Sequence, residues 1–465
     1  MARAAVANRL LAIAALIVFG AFVAIVAAGV FGRAASAAVP DAALDVLRPD
    51  VQGRDGLGTP PASRRSLAEF AIAAAPREFE FPQDHGPHPD FRQEWWYLTG
   101  NLTATDGERF GFELTIFRVA LTPAGDARSA VASDGAGVRN ASSSRGVGGT
   151  RNASSSRGVG RTRNAASSSD DTGSRGTAAA LDGASTAEHL NAAPAASPWR
   201  TRQVYVGHFA VTDVARHTFR FTQRYERDAL GLAGTVADPF RVWLYDWQIG
   251  GSPHWSLHAQ QKDYELQLEV QSLAAPILNG DRGLSVKASD PGAASYYYSI
   301  PRVSVRGHLI RDRVPIDVSG VAWLDREWGS GSLGANESGW DWFALQLDDG
   351  SALMFYALRD KDGARDLHSA GTWVDRDGQT RSLSSSDVEI TVGSYWDSPR
   401  GGRYPSRWHV RVPSLALEAD VQPVLADQEL GTSPRYWEGA VDVMASRSGA
   451  SVAGRGYVEL VGYAR

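Results

Sequence analysis

The chain has 465 residues, 43% of them hydrophobic, a net charge of −5 and no cysteine. That length and apolar content supply cores for two or three domains and rule out a chain disordered throughout. The lack of cysteine excludes disulfides, thiol nucleophiles and thiolate-held metals, and the basic residues form no stripe with interleaved aromatics of the kind that tracks nucleic acid.

Arg3 and Arg9 precede an uncharged apolar run at 10–31, about the length that crosses a bilayer as a helix. Leading basic residues favour a cytoplasmic N-terminus, which predicts export of the remainder. Ala35-Ser36-Ala37 resembles a small-residue cleavage site, so 1–37 reads as a signal peptide or a membrane anchor. The expected location is the periplasm, free or anchored to the inner membrane facing it. Residues 38–77 read as a tether.

The stretch DHGPHPDFRQEWWY at 84–97 sets two histidines, two aspartates and a glutamate against three large aromatics. His85 and His88, with Asp84, Asp90 or Glu94, form a weak alternative metal site, because a Gly/Pro loop lacks the frame that fixes ligand geometry. The preferred reading is a loop that plugs one end of a barrel, with Glu94 opening the first strand. No cofactor is expected.

From there the pattern is β. RFGFELTIF at 109–117 alternates Phe110, Phe112, Leu114 and Ile116 onto one face, and YELQLEV at 264–270 does the same. Asp106-Gly107, Asp349-Gly350 and Asp377-Gly378 read as hairpin turns between such runs. No long amphipathic helix intervenes, so antiparallel sheets closed into barrels are predicted. Residues 122–197 interrupt the pattern with a Ser/Gly/Ala/Arg segment that contains a twelve-residue repeat at 139–150 and 151–162; its composition predicts a disordered insertion.

The chain states one plan twice. EWWYLTGNLTATDGERFGFELTIFR at 94–118 is echoed by GWDWFALQLDDGSALMFYALR at 339–359, and YVGHFAVTD at 205–213 by HSAGTWVD at 368–375. WSLHAQQKDYELQLEV at 255–270 pairs with WHVRVPSLALEADV at 408–421, SYYYSIPRVSV at 295–305 with PRYWEGAVDV at 434–443, and GVAWLDREW at 320–328 with GRGYVELVG at 454–462. Five matches in one order predict two β domains, at 78–329 and 330–465, with the insertion in a loop of the first.

FPQDHGPHPDFRQEWWYLTGNL, SYYYSIPRV, GVAWLDREWGSG, GWDWFALQLDDG, RYWEGAV and GYVELVGY resemble the AttH-type family that includes the hydroxyneurosporene synthases, the carotenoid 1,2-hydratases. The resemblance spans nearly everything from 80 to 465 apart from the insertion. It implies two tandem lipocalin-like antiparallel barrel or sandwich domains packed side by side, behind an N-terminal apolar helix. It also implies an isoprenoid-like or other polyene ligand; many members are described only as secreted hydrolases. The hydratase pattern includes a His beside Tyr, Trp and Asp, and the strand holding Tyr296, Tyr297 and Tyr298 carries no His.

Hydrating an isolated alkene needs a strong general acid, and carboxylic acids kept protonated among aromatics suit that task. The candidates are Asp325, Glu327 and Glu94, with Asp325 first because Trp323 shares its face under strand alternation. Trp95, Tyr97, His208, Tyr296, Tyr298, Trp323, Trp342 and Trp437 are the candidate ligand-binding residues. Three functions follow: a hydratase, isomerase or cyclase acting on a lipophilic polyene; a non-catalytic lipid carrier whose carboxylates only fix packing; and a secreted hydrolase, for which no nucleophile elbow is found. The partner is a lipophilic small molecule, with the membrane as a second through the N-terminal segment if uncleaved; the oligomeric state is left open.

Overall fold

A computed structural model describes residues 69–123 and 201–464, apart from 253, 332 and 335. The signal or anchor segment at 1–37, most of the tether and nearly all of the insertion lie outside the described residues.

Two antiparallel sheets make up the fold. The first holds β1 (Gln93–Ala104), β2 (Arg109–Ala120), β3 (Gln203–Asp213), β4 (Thr218–Arg227), β5 (Ala233–Ala237), β6 (Phe240–Leu244), β7 (Trp247–Gly250), β8 (Trp255–Gln260), β9 (Tyr264–Ser272), β10 (Ile277–Leu278), β11 (Leu284–Val286), β12 (Ala294–Arg311) and β13 (Val314–Gly329). The second holds β14 (Glu337–Leu347), β15 (Ala352–Asp360), β16 (Ala370–Val374), β17 (Thr380–Ser384), β18 (Glu389–Asp397), β19 (Arg403–Val412), β20 (Leu417–Pro423), β21 (Glu429–Leu430), β22 (Tyr436–Arg447) and β23 (Ala450–Leu460).

The strand orders are β4-β3-β2-β1-β13-β12-β9-β8-β7-β6-β5 and β17-β16-β15-β14-β23-β22-β20-β19-β18. Members of each repeated sequence pair therefore occupy equivalent places: β1 and β14, β2 and β15, β3 and β16, β9 and β20, β12 and β22, β13 and β23. The three Asp-Gly turns join β1 to β2, β14 to β15 and β16 to β17, and Gly107 takes the positive φ of +92° that a side chain would oppose.

Alternation along the strands decides what is core. The even-numbered Phe110, Phe112, Leu114 and Ile116 of β2 turn inward with Trp96 and Leu98 of β1, Leu324 and Trp328 of β13, and Trp247 of β7. In the second sheet Phe343, Phe355, Trp408, Trp437 and Val458 do the same. The sheets curl into a nearly closed barrel and a half-barrel around these clusters. Both interiors are packed with side chains.

The end of the tether is ordered against the first sheet. Ala73 is buried, the Ala71 N–H bonds the Asp90 carbonyl at 2.9 Å, and the Tyr296 hydroxyl donates to the Ala75 carbonyl at 2.8 Å. A 3-10 turn at Gln83–His85 follows and closes one end of the first barrel: His85 Nδ1 meets the Tyr298 hydroxyl at 2.7 Å and its ring lies edge-on to Trp255 at 4.8 Å.

On either side of the insertion, Ala120 faces Gln203 in the β2–β3 ladder, and the Leu121 N–H bonds the Arg202 carbonyl at 2.7 Å. Because the ends already meet, a short turn replaces the insertion with little loop-closure cost. Deleting 125–196 is expected to leave a single cooperative melting transition within a few degrees of the parent; loss of cooperativity in calorimetry would show that the segment is more than a spacer.

Candidate active site

The same alternation that fills the barrels puts a second set of side chains on the outer faces where the sheets meet. In β13, Trp323, Asp325 and Glu327 face this seam, whereas Leu324, Arg326 and Trp328 point into the first barrel. Trp95 and Tyr97 of β1, Glu113, Thr115 and Phe117 of β2, and Ser295 and Tyr297 of β12 share that outer face. The second sheet contributes Trp340 and Trp342 of β14, Tyr356 of β15, Tyr436 and Glu438 of β22, and Glu459 of β23. Together they surround a cavity of about 210 Å³.

Asp325 sits at its centre by register. Tyr97 lies directly opposite it across β1–β13, and Ser299 opposite it across β12–β13. Its Oδ1 accepts from Ser299 Oγ and from the Trp323 indole N–H at 2.7 Å, and its Oδ2 accepts from the Tyr297 hydroxyl. Asp325 is 3% exposed and forms no salt bridge among the described residues. Burial pushes its pKa up to about 7, against the three donors and with a smaller push from the Glu327 charge.

Glu327, two residues on, accepts from Ser295 Oγ and lies 3.5 Å from Lys287 Nζ. Lys287 comes from the loop after β11 and places its ammonium 3.8 Å from the centre of the Tyr356 ring. Burial lowers its pKa, but Glu327 and Tyr356 outweigh that and hold it above the ordinary lysine value.

Three more carboxyl groups form a second pole. Glu438 accepts from the Tyr97 hydroxyl. Glu113 accepts from Thr115 Oγ1 at 3.0 Å through Oε1 and also hydrogen-bonds Tyr436 and Glu438. Glu459 faces Glu438 across β22–β23 and takes the Trp340 indole N–H. Burial raises all three, Glu113 to about 7, Glu459 to about 8 and Glu438 well above the usual range, with mutual repulsion adding to the shifts of Glu438 and Glu459.

Of the residues predicted from sequence, Glu94, Asp325, Glu327, Trp95, Tyr97 and Trp342 line the cavity, and Trp323 holds the Asp325 carboxyl. Tyr296, Tyr298 and Trp437 do not reach it. They occupy the opposite parity of β12 and β22, so they point into the barrel interiors, where the Trp437 indole bonds the Ala426 carbonyl at 2.8 Å. His208 lies on the seam face of β3 but outside the cavity wall, held by the Tyr436 hydroxyl at 2.6 Å and Gln223 Nε2 at 2.7 Å. Burial depresses its pKa to about 3, which keeps it neutral.

Glu94, expected as an acid, is corrected to a buried counter-ion. Arg118 Nε and Arg326 Nη2 both pair with it, the latter at 3.1 Å, and the His88 N–H donates at 3.0 Å. Burial opposes ionisation, but the Arg118 charge and the remaining partners hold its pKa far below the ordinary range, so it cannot donate a proton. His88 Nδ1 contacts Glu94 at 3.2 Å and Nε2 contacts Asp84 at 3.0 Å, with the ring stacked on Trp328 at 3.6 Å. No cluster of three or more His, Asp or Glu among the described residues is arranged to hold a metal.

Sequence reasoning missed Glu113, Glu438, Glu459, Tyr297 and Lys287 as cavity residues. One signal was present. Aligning GVAWLDREW with GRGYVELVG without gaps puts Glu459 under Asp325, and aligning SYYYS with PRYWE puts Glu438 under Ser299.

Two antiparallel sheets curled on themselves, with an acid-bearing aromatic cavity between their outer faces, define a double lipocalin-like protein. The chain belongs to the AttH-like family, whose sequence pattern matches residues 72–146 and 182–463. It is similar to the solved structure of an AttH protein from Nitrosomonas europaea, with 29% identity and a TM-score of 0.63 over 85% of this chain and 100% of that one. Kievitone hydratase from Nectria haematococca shares the fold at 13% identity and a TM-score of 0.53, over 85% of this chain and 96% of that one. No curated protein matches.

Proposed function

We propose that this chain is an exported protein that takes a lipophilic, polyene-like molecule into the seam cavity and protonates one of its carbon–carbon double bonds from Asp325. The observation that carries this reading is a carboxyl group 3% exposed, without a cationic partner, on the wall of an aromatic cavity. With its pKa pushed up to about 7, Asp325 is substantially protonated near neutral pH and is returned to that state readily.

Transfer of that proton forms a C–H bond at one alkene carbon and leaves a cation at the other. The faces of Trp342, Trp340 and Tyr97 stabilise the cation, and the donors on Asp325 stabilise the new carboxylate. A water then adds at the cation and gives its proton back to the Asp325 carboxylate, or a neighbouring C–H gives up a proton to form an isomer. Both outcomes regenerate the acid. A family relative by fold is a kievitone hydratase, which fits this chemistry at the level of architecture.

The carrier reading draws on a different observation: three donors already satisfy Asp325, as in a structural network. Mass spectrometry of small molecules retained by the purified full chain tests the shared premise. An apolar polyene is expected; preparations that retain no apolar ligand and take up none on incubation with polyenes would remove both readings. Recovery in the cytosolic fraction, rather than with periplasm or membrane, would remove export.

A further inference from the structure

Asp325 ends a hydrogen-bonded chain that begins in the other sheet. Thr372 of β16 donates from Oγ1 to Asn279 Oδ1 at 2.8 Å, Asn279 Nδ2 donates to Ser299 Oγ at 2.8 Å, and Ser299 Oγ donates to Asp325 Oδ1. Asn279 directly follows β10, and its backbone N–H bonds the Tyr297 carbonyl of β12 at 3.0 Å. All three links are buried, and they stand behind the cavity wall. What each group can do fixes the direction of the chain. An ionised carboxylate only accepts, so Ser299 gives it its single hydrogen. The Ser299 oxygen is then left to accept, and only the nitrogen end of an amide can donate to it. Asn279 therefore turns its oxygen toward the Thr372 hydroxyl.

The same constraint decides which oxygen of Asp325 carries a proton. Oδ1 receives the Trp323 indole N–H, which can only donate, and the committed Ser299 hydroxyl. Among the described residues Oδ2 meets only the Tyr297 hydroxyl, and that group can reverse. Its oxygen already accepts the Trp342 indole N–H at 3.2 Å, and it has a second lone pair to accept from a protonated Oδ2. We propose that Asn279 is a positioning residue for Asp325: anchored by Thr372 of the second sheet, it commits Ser299 as a donor and so assigns the transferable proton to Oδ2, the oxygen beside Tyr297. The inference rests on the reading of Asp325 as the acid, and it adds where on the carboxyl group the proton is held and what holds it there. Because Thr372 belongs to the second sheet, the acid is set in this form only when the two sheets are docked.

Infrared pH-difference spectroscopy of the full chain tests this without a substrate. The carbonyl band of protonated Asp325 is the one absent from Asp325→Asn, and in the parent it is expected to disappear with a midpoint at about 7. Asn279→Asp offers Ser299 a second carboxylate, which draws the hydroxyl hydrogen away from Oδ1. The band is expected to move to higher wavenumber, as a carbonyl does on losing a donor, and its midpoint to rise by about one pH unit. Ser299→Ala is expected to move the band the same way, and adding Asn279→Asp to it to leave the band position unchanged, which a disturbance unrelated to Ser299 would not do. Asn279→Leu buries no new charge and is expected to move the band in the same direction by less, so the test survives if Asn279→Asp fails to fold. Tyr97, Tyr297, Tyr298, Glu327 and Glu459, the titratable neighbours of Asp325, are common to all the variants, so differences from the parent report on the chain. A parent band that titrates at about 7 but keeps its position in both Asn279 variants would overturn the role of Asn279 and leave the acid reading standing. A parent band that titrates near the ordinary 3.8 would overturn the acid reading and the assignment with it.

Discussion

Asp325→Asn is expected to abolish turnover of an accepted polyene while ligand retention persists. The substitution keeps the side chain's shape and removes the proton that the reaction needs, and loss of a general acid costs roughly 10²- to 10⁴-fold in rate. Retention is measured by the same mass spectrometry, and turnover by product formation. An active variant would eliminate Asp325 as the acid, and a variant altered only in melting temperature would favour the carrier.

The pH dependence of stability gives a second check on the same residue. Its folded pKa of about 7 lies above the unfolded value of 3.8, so the folded state binds more protons in between. Stability is therefore fully present below the unfolded pKa and declines as pH rises toward 7. The glutamates of the cavity titrate in an overlapping window, so the informative quantity is the difference between parent and variant. Asp325→Asn is expected to flatten that decline, read from denaturant unfolding between pH 4 and 8.

Glu94→Gln is expected to be the costlier change for the fold. The Glu94 carboxylate, fully buried, is the counter-charge for Arg118 and Arg326, and Arg118 Nη1 and Arg326 Nε have no hydrogen-bond partner of their own. Neutralising it leaves two buried guanidinium groups without compensation, a loss of about 3–5 kcal/mol. For a protein of this size that corresponds to a melting-temperature fall of roughly 5 °C. Here the folded pKa lies below the unfolded value of 4.5, so the stabilisation is present above 4.5 and is lost as pH falls below it. The variant should start less stable at neutral pH and lose less on acidification. A variant within about 1 kcal/mol of the parent would show that the arginines are held by something else.

How much of this was legible in sequence depends on the distance over which each feature is decided. Strands were legible because period-two alternation is local: Phe110, Phe112, Leu114 and Ile116 announce a face wherever it comes to lie. The duplication was legible because β1 through β3 and β14 through β16 retain both their order and their Asp-Gly turns. Asp325 was legible because Trp323 and Glu327 share its parity. Glu94 was misread because an acid beside Trp95 and Trp96 looks the same whether its partners are aromatics or two arginines 24 and 232 residues away. Tyr296, Tyr298 and Trp437 were misread because adjacent residues in one aromatic run part to opposite faces, and only one parity meets the other sheet. Lys287 lies in a loop that no periodicity describes.

By itself, the amino-acid order determined that this protein is two antiparallel sheets of one plan, because side-chain alternation and turn chemistry act over a few residues. Only the tertiary structure decided which carboxyl groups meet in the cavity between the sheets. Packing closed both interiors with tryptophan, phenylalanine and leucine. The outer parity of each sheet had to be buried by the other, and the carboxyl groups carried on that parity lost their water together.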